Sequence, residues 1–234
     1  RQEYNLGGGP IGNIRKFVEQ DMGVLVFSLA LSGVSGMSWW NPRAGPAILV
    51  NSNDSTGRQN WTLVHELAHL LRRDAVIICD NLRVNYGEPR ERFADTFAAE
   101  FLLPRQDLIR YVEAEGLGPA LDQDYTLNVI ARRYRVSREA TARRLESLGF
   151  LPRGFTGDQL PRWLELSLGK PRFGKRTARR RQRVKQLGRS FVGRAIEAYR
   201  GGQVTLSKLA EELSLGTVEA EELVAEWPNR GGSR

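Results

Sequence analysis

The sequence predicts an α+β protein: a small mixed sheet packed on helices, followed by a mostly helical C-terminal region with helix-turn-helix-like pairs. Three observations point there. The β-branched, aromatic or aliphatic runs at residues 24–29, 36–40 and 47–50 are each bounded by Gly, Pro, Ser or Asn, which is how short strands are punctuated. Apolar residues at helical spacing then fill segments too long for strands, from about residue 55 to 71 and from 88 to 103. Beyond Asp124 the character changes to paired helical segments, with no further strand-like run.

Taken in order, residues 1–9 end in Gly7-Gly8-Gly9 and read as a flexible lead-in. Pro10 suits the first turn of a helix, and Ile11, Ile14, Phe17 and Val18 carry its apolar face up to a stop at Gly23. After the three strands, the polar loop 51–57 offers several N-caps for the helix that begins at Ser55 or Thr56. Residues 72–87, with Asp74, Asp80, Asn81, Asn85 and Gly87, read as a connection. In the helix over 88–103, Phe93, Phe97, Ala98, Phe101 and Leu102 share a face; Pro104 ends it, and a third helix over 106–115 stops at Gly116.

Leu127, Ile130, Ala131 and Tyr134, then Ala140, Leu145 and Leu148, predict two helices joined by a turn at 135–137, with Ser137 as N-cap of the second. The stretch 149–174 is rich in Pro and Gly and reads as a linker with an apolar piece at 163–168. A basic run follows, Gly201-Gly202 breaks it, two more short helices are expected, and the tail 229–234 reads as disordered. The predicted organisation is a lead-in (1–9), a domain of sheet and helices (10–118), a helix-turn-helix-like domain (119–152) and a basic linker with a helical C-terminal region (153–234).

Composition narrows the function classes. With 41% hydrophobic and 26% charged residues the chain is of ordinary globular make-up. No apolar run approaches the roughly 18 residues of a membrane helix, so no membrane partner is expected. Arg1 opens the chain where Met would begin one, which suggests a processed or trimmed piece, and the first residues lack a signal sequence. A single cysteine, Cys79, and no signal favour the cytoplasm. The net charge of +8 is regional: residues 170–200 hold 12 Lys/Arg and one acid, a local +11, leaving −3 elsewhere. Nucleic acid could meet that 170–200 stretch, but a solvated basic helix or an acidic protein partner is the preferred reading, because Arg and Lys appear all round the helix and no aromatic base-stacking pattern accompanies them.

The chemistry concentrates in Trp61-Thr62-Leu63-Val64-His65-Glu66-Leu67-Ala68-His69-Leu70, which holds both histidines of the chain. Residues four apart share a helix face, so His65 and His69 can offer two imidazoles to one metal ion, with Glu66 beside them as a general base. A catalytic zinc takes three protein ligands and leaves a place for water. The third is sought elsewhere. Glu91 is the best candidate, and Asp95, four residues on, would accept the other ring N–H of a ligand histidine. Cys79, Glu88 and Glu100 are its rivals.

Residues 62–69 together with Glu91-Arg92-Phe93-Ala94-Asp95-Thr96-Phe97-Ala98-Ala99-Glu100-Phe101-Leu102-Leu103-Pro104 resemble the ImmA/IrrE metallopeptidases. Pro10-Ile11, Gly23-Val24, Ile48-Leu49-Val50-Asn51 and Val136-Ser137 fit as well, so the resemblance spans about 8–152. It implies a gluzincin-type fold, metal ligands His65, His69 and Glu91, and Glu66 as catalytic base. The metal expected is Zn²⁺, with Mn²⁺ or another divalent ion compatible with the same donors. Members act on helix-turn-helix repressors in bacteria, freeing their promoters, as in stress responses. Many carry Asn where this chain has Asp95, and many carry an N-terminal helix-turn-helix domain that would end where this chain begins.

The reading is therefore a zinc-dependent endopeptidase whose partner is a protein substrate, a helix-turn-helix repressor. The alternative is a DNA-binding regulator or adaptor in which the metal is structural or sensory. Residues 47–50, leading into the histidine helix, are either an edge that pairs with substrate as an added strand or an internal strand. Arg132, Arg133, Arg135, Arg143 and Arg144 keep a DNA-reading role open for the helical pair.

Overall fold

The computed structural model describes residues 1–74, 77–80, 88–168 and 179–228. Helix α1 (Ile14–Gln20) starts later than Pro10 suggested, because Asn13 takes an extended conformation and its side chain accepts from the Lys16 N–H at 3.0 Å. A side-chain cap of that kind fixes the first turn, and Pro10 is left in the approach. Three strands follow: β1 (Leu25–Leu29), β2 (Val34–Asn41) and β3 (Gly45–Asn51), each within two residues of its sequence reading.

The sheet has a fourth strand, β4 (Ile77–Asp80), inside what the sequence presents as a connection. Four residues are too few to show alternation. Strand order is β1-β3-β2-β4, with β1 parallel to β3 and both β2–β3 and β2–β4 antiparallel. β3 is thus internal, paired on both sides, and cannot accept an added strand; the edges are β1 and β4.

Helix α2 (Thr56–Arg72) crosses the sheet against β2 and β3. Every residue from Thr62 through His69 is buried, since the sheet covers one side and α3 (Pro89–Leu102) the other. Helices α4 (Arg105–Ala114), α5 (Asp124–Tyr134) and α6 (Arg138–Ser147) follow. One apolar core runs through all of these, joining Val18, Ile48, Val64, Leu67, Ala98, Leu108, Leu127, Ile130, Leu145 and Trp163.

The α5–α6 pair has the expected turn: Arg135 is left-handed at φ 56° and Ser137 accepts from the Ala140 N–H at 3.0 Å. It packs against the start of α2, where a Cβ on Gly57 would overlap the Val136 carbonyl, and the Asn60 amide donates to Arg135 O at 2.7 Å. Arg144, 6% exposed, donates to Leu103 O at 3.1 Å and pairs with Glu100 at 2.7 Å. Arg143 is held by Glu139, and Arg133 lies over the Tyr111 ring.

Residues 155–168 are a helix, α7 (Phe155–Leu168), and not a linker with a short apolar piece. Pro161 within it conceals the periodicity, and the Glu146 carboxylate anchors its start by accepting from the N–H groups of Gly154 and Thr156 and from the Thr156 hydroxyl. Four more helices follow: α8 (Arg179–Leu187), α9 (Arg189–Arg200), α10 (Leu206–Leu213) and α11 (Thr217–Glu226). A second core built on Val192, Ile196, Leu209, Leu213 and Leu223 holds the last three together. Arg180 meets Glu222 and Glu226 at 3.1 Å each, and Arg179 lies near Glu219, so one face of the basic helix turns to the acids of α11. The remainder of the basic run, 169–178, and the tail 229–234 lie outside the described residues. Among the described residues no helix is long and apolar enough to cross a membrane.

Candidate metal centre

His65 and His69 stand one turn apart on α2, and the first turn of α3 brings Glu91 to them from across the helix pair. His65 Nε2 is 3.2 Å from His69 Nε2 and 3.2 Å from Glu91 Oε2; His69 Nε2 is 3.6 Å from Glu91 Oε1. Their ligand atoms all lie within 4.8 Å of one another. Atoms about 2.0–2.1 Å from a tetrahedral ion stand roughly 3.3 Å apart, so the observed spacing suits one small divalent ion.

Each histidine uses its other nitrogen outward. His65 Nδ1 is 3.0 Å from Asp95 Oδ1, and His69 Nδ1 is 2.9 Å from Asp74 Oδ2. With Nδ1–H donating to a carboxylate, each Nε2 turns its lone pair toward the centre, the tautomer a metal ligand requires. Two such lone pairs and a carboxylate so close together repel one another without a cation between them.

Glu66, which follows His65 on α2, is fully buried, and the Ser38 hydroxyl of β2 donates to its Oε2 at 2.7 Å. The approach of β2 to α2 depends on Gly36, where a Cβ would overlap the Thr62 methyl group and lie 3.3 Å from Glu66 Oε1.

Four of the five residues singled out from the sequence are thus brought together, His65 and His69 on α2 with Glu91 and Asp95 on α3, while Glu66, next to His65 in the chain, is buried against Ser38 of β2. Two of the rivals pair elsewhere. Glu88 pairs with Arg90 at 2.7 Å and Glu100 with Arg144; Cys79 belongs to β4, whose side chains are outside the described residues. Two residues escaped the sequence reading. Asp74 was visible as an acid just past the end of the histidine helix, whereas nothing marks Ser38 apart from its place in a strand.

A family model described as an IrrE N-terminal-like domain, Peptidase_M78, matches residues 19–146, which is 128 of 234 residues. The chain belongs to that family. The match contains the whole candidate centre, together with α5 and all but the last residue of α6. This places the ImmA/IrrE resemblance on a family of metallopeptidases. Among solved structures the chain is similar to a Mycobacterium tuberculosis transcriptional regulator, with 20% identity and a TM-score of 0.42 over 60% of this chain and 41% of that one. The chain thus matches less than half the length of that regulator. No curated protein matches.

Proposed function

We propose that this IrrE-family chain is a metal-dependent endopeptidase that cleaves a regulatory protein, a helix-turn-helix DNA-binding repressor, and thereby derepresses transcription. The observation that carries the reading is the fully buried Glu66, which directly follows His65 on α2, together with the His65–His69–Glu91 donor set. A structural metal site needs the ligands and has no use for a buried acid beside them; a hydrolase needs both.

His65, His69 and Glu91 would hold the ion, Zn²⁺ by preference and Mn²⁺ as an alternative. A bound ion of this kind supplies Lewis acidity, which lowers the pKa of water toward about 7 and polarises a peptide carbonyl. Asp95 and Asp74 keep both imidazoles in the ligand tautomer. Glu66 takes the proton of the attacking water and later delivers it to the leaving amine, the work of a general base turned acid. Burial shields it from bulk water during that exchange.

In this reading residues 10–118 carry the chemistry, residues 119–152 support the start of the histidine helix, and residues 153–234 serve partner binding. The repressor as substrate class follows from the family resemblance. The location is the cytoplasm, where such repressors act.

The test is incubation of the zinc-loaded chain with the helix-turn-helix repressor encoded nearest to it, read by mass. Wild type should yield two fragments, and Glu66→Gln should bind zinc as before and yield none. Cleavage by Glu66→Gln would overturn the mechanism; zinc binding with no cleavage by wild type would favour the regulator alternative.

A further inference from the structure

We infer that Ser38 is a positioning residue for Glu66: its hydroxyl fixes the catalytic carboxyl against β2 in the orientation that proton transfer needs. The inference deepens the peptidase reading and rests on it. Ser38 is 3% exposed, Glu66 is fully buried, and Ser38 Oγ is 2.7 Å from Glu66 Oε2. A glutamate side chain has three rotatable bonds, so a helix alone does not determine where its carboxyl group lies. α2 sets the Cα of Glu66; β2 sets the end of the side chain.

The sheet places the hydroxyl with little freedom. Ser38 lies in the middle of β2, opposite Ile48 of β3 on one side and Ile77 of β4 on the other. Two residues earlier, on the same strand face, Gly36 lets the backbone close on Thr62 and Glu66. The strand therefore follows α2, with Gly36 against Thr62 and Ser38 against Glu66. The choice of a hydroxyl also matters. Glu66 must exist as a carboxylate before the water attacks and as an acid afterwards. A hydroxyl both donates and accepts, so the Ser38 contact survives proton uptake, whereas a cationic partner would favour only the ionised form.

The experiment uses the zinc-loaded full chain as wild type, Ser38→Ala and Ser38→Thr. In crystal structures, Glu66 should keep one orientation in wild type and Ser38→Thr and leave it in Ser38→Ala, with zinc content unchanged in all three. On the same repressor substrate, Ser38→Ala should lose about 10- to 100-fold in kcat, the range typical of supporting hydrogen-bond partners, with KM unchanged. Ser38→Thr should recover kcat to within roughly threefold of wild type, since its hydroxyl restores the donor. An unmoved Glu66 in Ser38→Ala, or a change confined to KM, overturns the proposal. If wild type cleaves nothing, the peptidase reading fails, and the orientation of Glu66 in the three structures still decides whether Ser38 positions it.

Discussion

Asp74 Oδ2 lies 2.9 Å from His69 Nδ1, and the same Asp74 donates its backbone N–H to the His69 carbonyl at 3.1 Å. Both contacts come from one turn. Arg73 takes the left-handed conformation at φ 59° and ends α2, so the next residue doubles back over the last turn of the helix. The helix terminus thereby orients the second histidine, as Asp95 of α3 orients the first.

Asp74→Ala should accordingly weaken metal binding by about 10- to 100-fold, the usual loss when the outer partner of a ligand histidine is removed. Competition against a chromophoric chelator measures it. Asp74→Asn, which keeps an acceptor oxygen, should lose less. Equal affinity in wild type and Asp74→Ala would show that His69 needs no such support.

Removing the metal should destabilise the fold, because it leaves His65 Nε2, His69 Nε2 and the Glu91 carboxylate facing each other across 3.2–3.6 Å. Free metal at 1,000 times its dissociation constant stabilises by about 4 kcal/mol. In a chain of this size that corresponds to roughly 8–16 °C in melting temperature. Calorimetry with EDTA and then with excess zinc should show the loss and its recovery. Glu91→Ala should melt at nearly the same temperature with and without zinc.

The site was largely legible in the sequence because two of its helices carry it in short-range spacing. His65 and His69 are one turn apart, and so are Glu91 and Asp95. The fold between them was less legible where local and tertiary signals part. β4 is too short to show its period, and Pro161 hides α7. Ser38 reaches Glu66 across 28 residues through sheet register, which no spacing rule reports. Arg144 belongs to a helical pair with a DNA-reader pattern, yet its guanidinium is turned into the core by the packing of α6 on the α3–α4 junction.

Arg144→Ala should cost roughly 2–3 kcal/mol, the scale of a charged hydrogen bond lost to a buried acceptor. The Leu103 carbonyl would be left without its donor at the point where α3 gives way to α4. The ion pair with Glu100 contributes little of this, because Glu100 is half exposed. Arg144→Lys should recover only part, since an ammonium lacks the planar fork that reaches both partners. Chemical denaturation measures both variants; a loss below about 0.5 kcal/mol, the level of an ordinary surface change, would show that the buried guanidinium is dispensable.

Gly188 joins α8 to α9 at φ 80°, and a Cβ there would overlap Glu19 Oε1 and the Val26 carbonyl. This junction seats the C-terminal helices on the β1 edge: Arg15 donates to Val26 O at 2.6 Å, Ser190 donates to Glu19 O at 3.2 Å, and the Arg189 N–H meets the Glu19 carboxylate. Burial pushes the Glu19 carboxyl above its usual range despite Arg15 beside it, a sign of how closely the junction is packed. Gly188→Ala combines left-handed strain with overlap against backbone, so it should cost about 1–3 kcal/mol. The damage should be local. The second core of α9–α11 and the metal centre draw on other residues, so zinc affinity should hold while α9–α11 loosen from β1. Hydrogen exchange should show faster exchange in β1 and around residue 188, with α2 and α3 unchanged. Uniform faster exchange across the whole chain would mean that the C-terminal helices and the IrrE-like domain unfold as one cooperative unit.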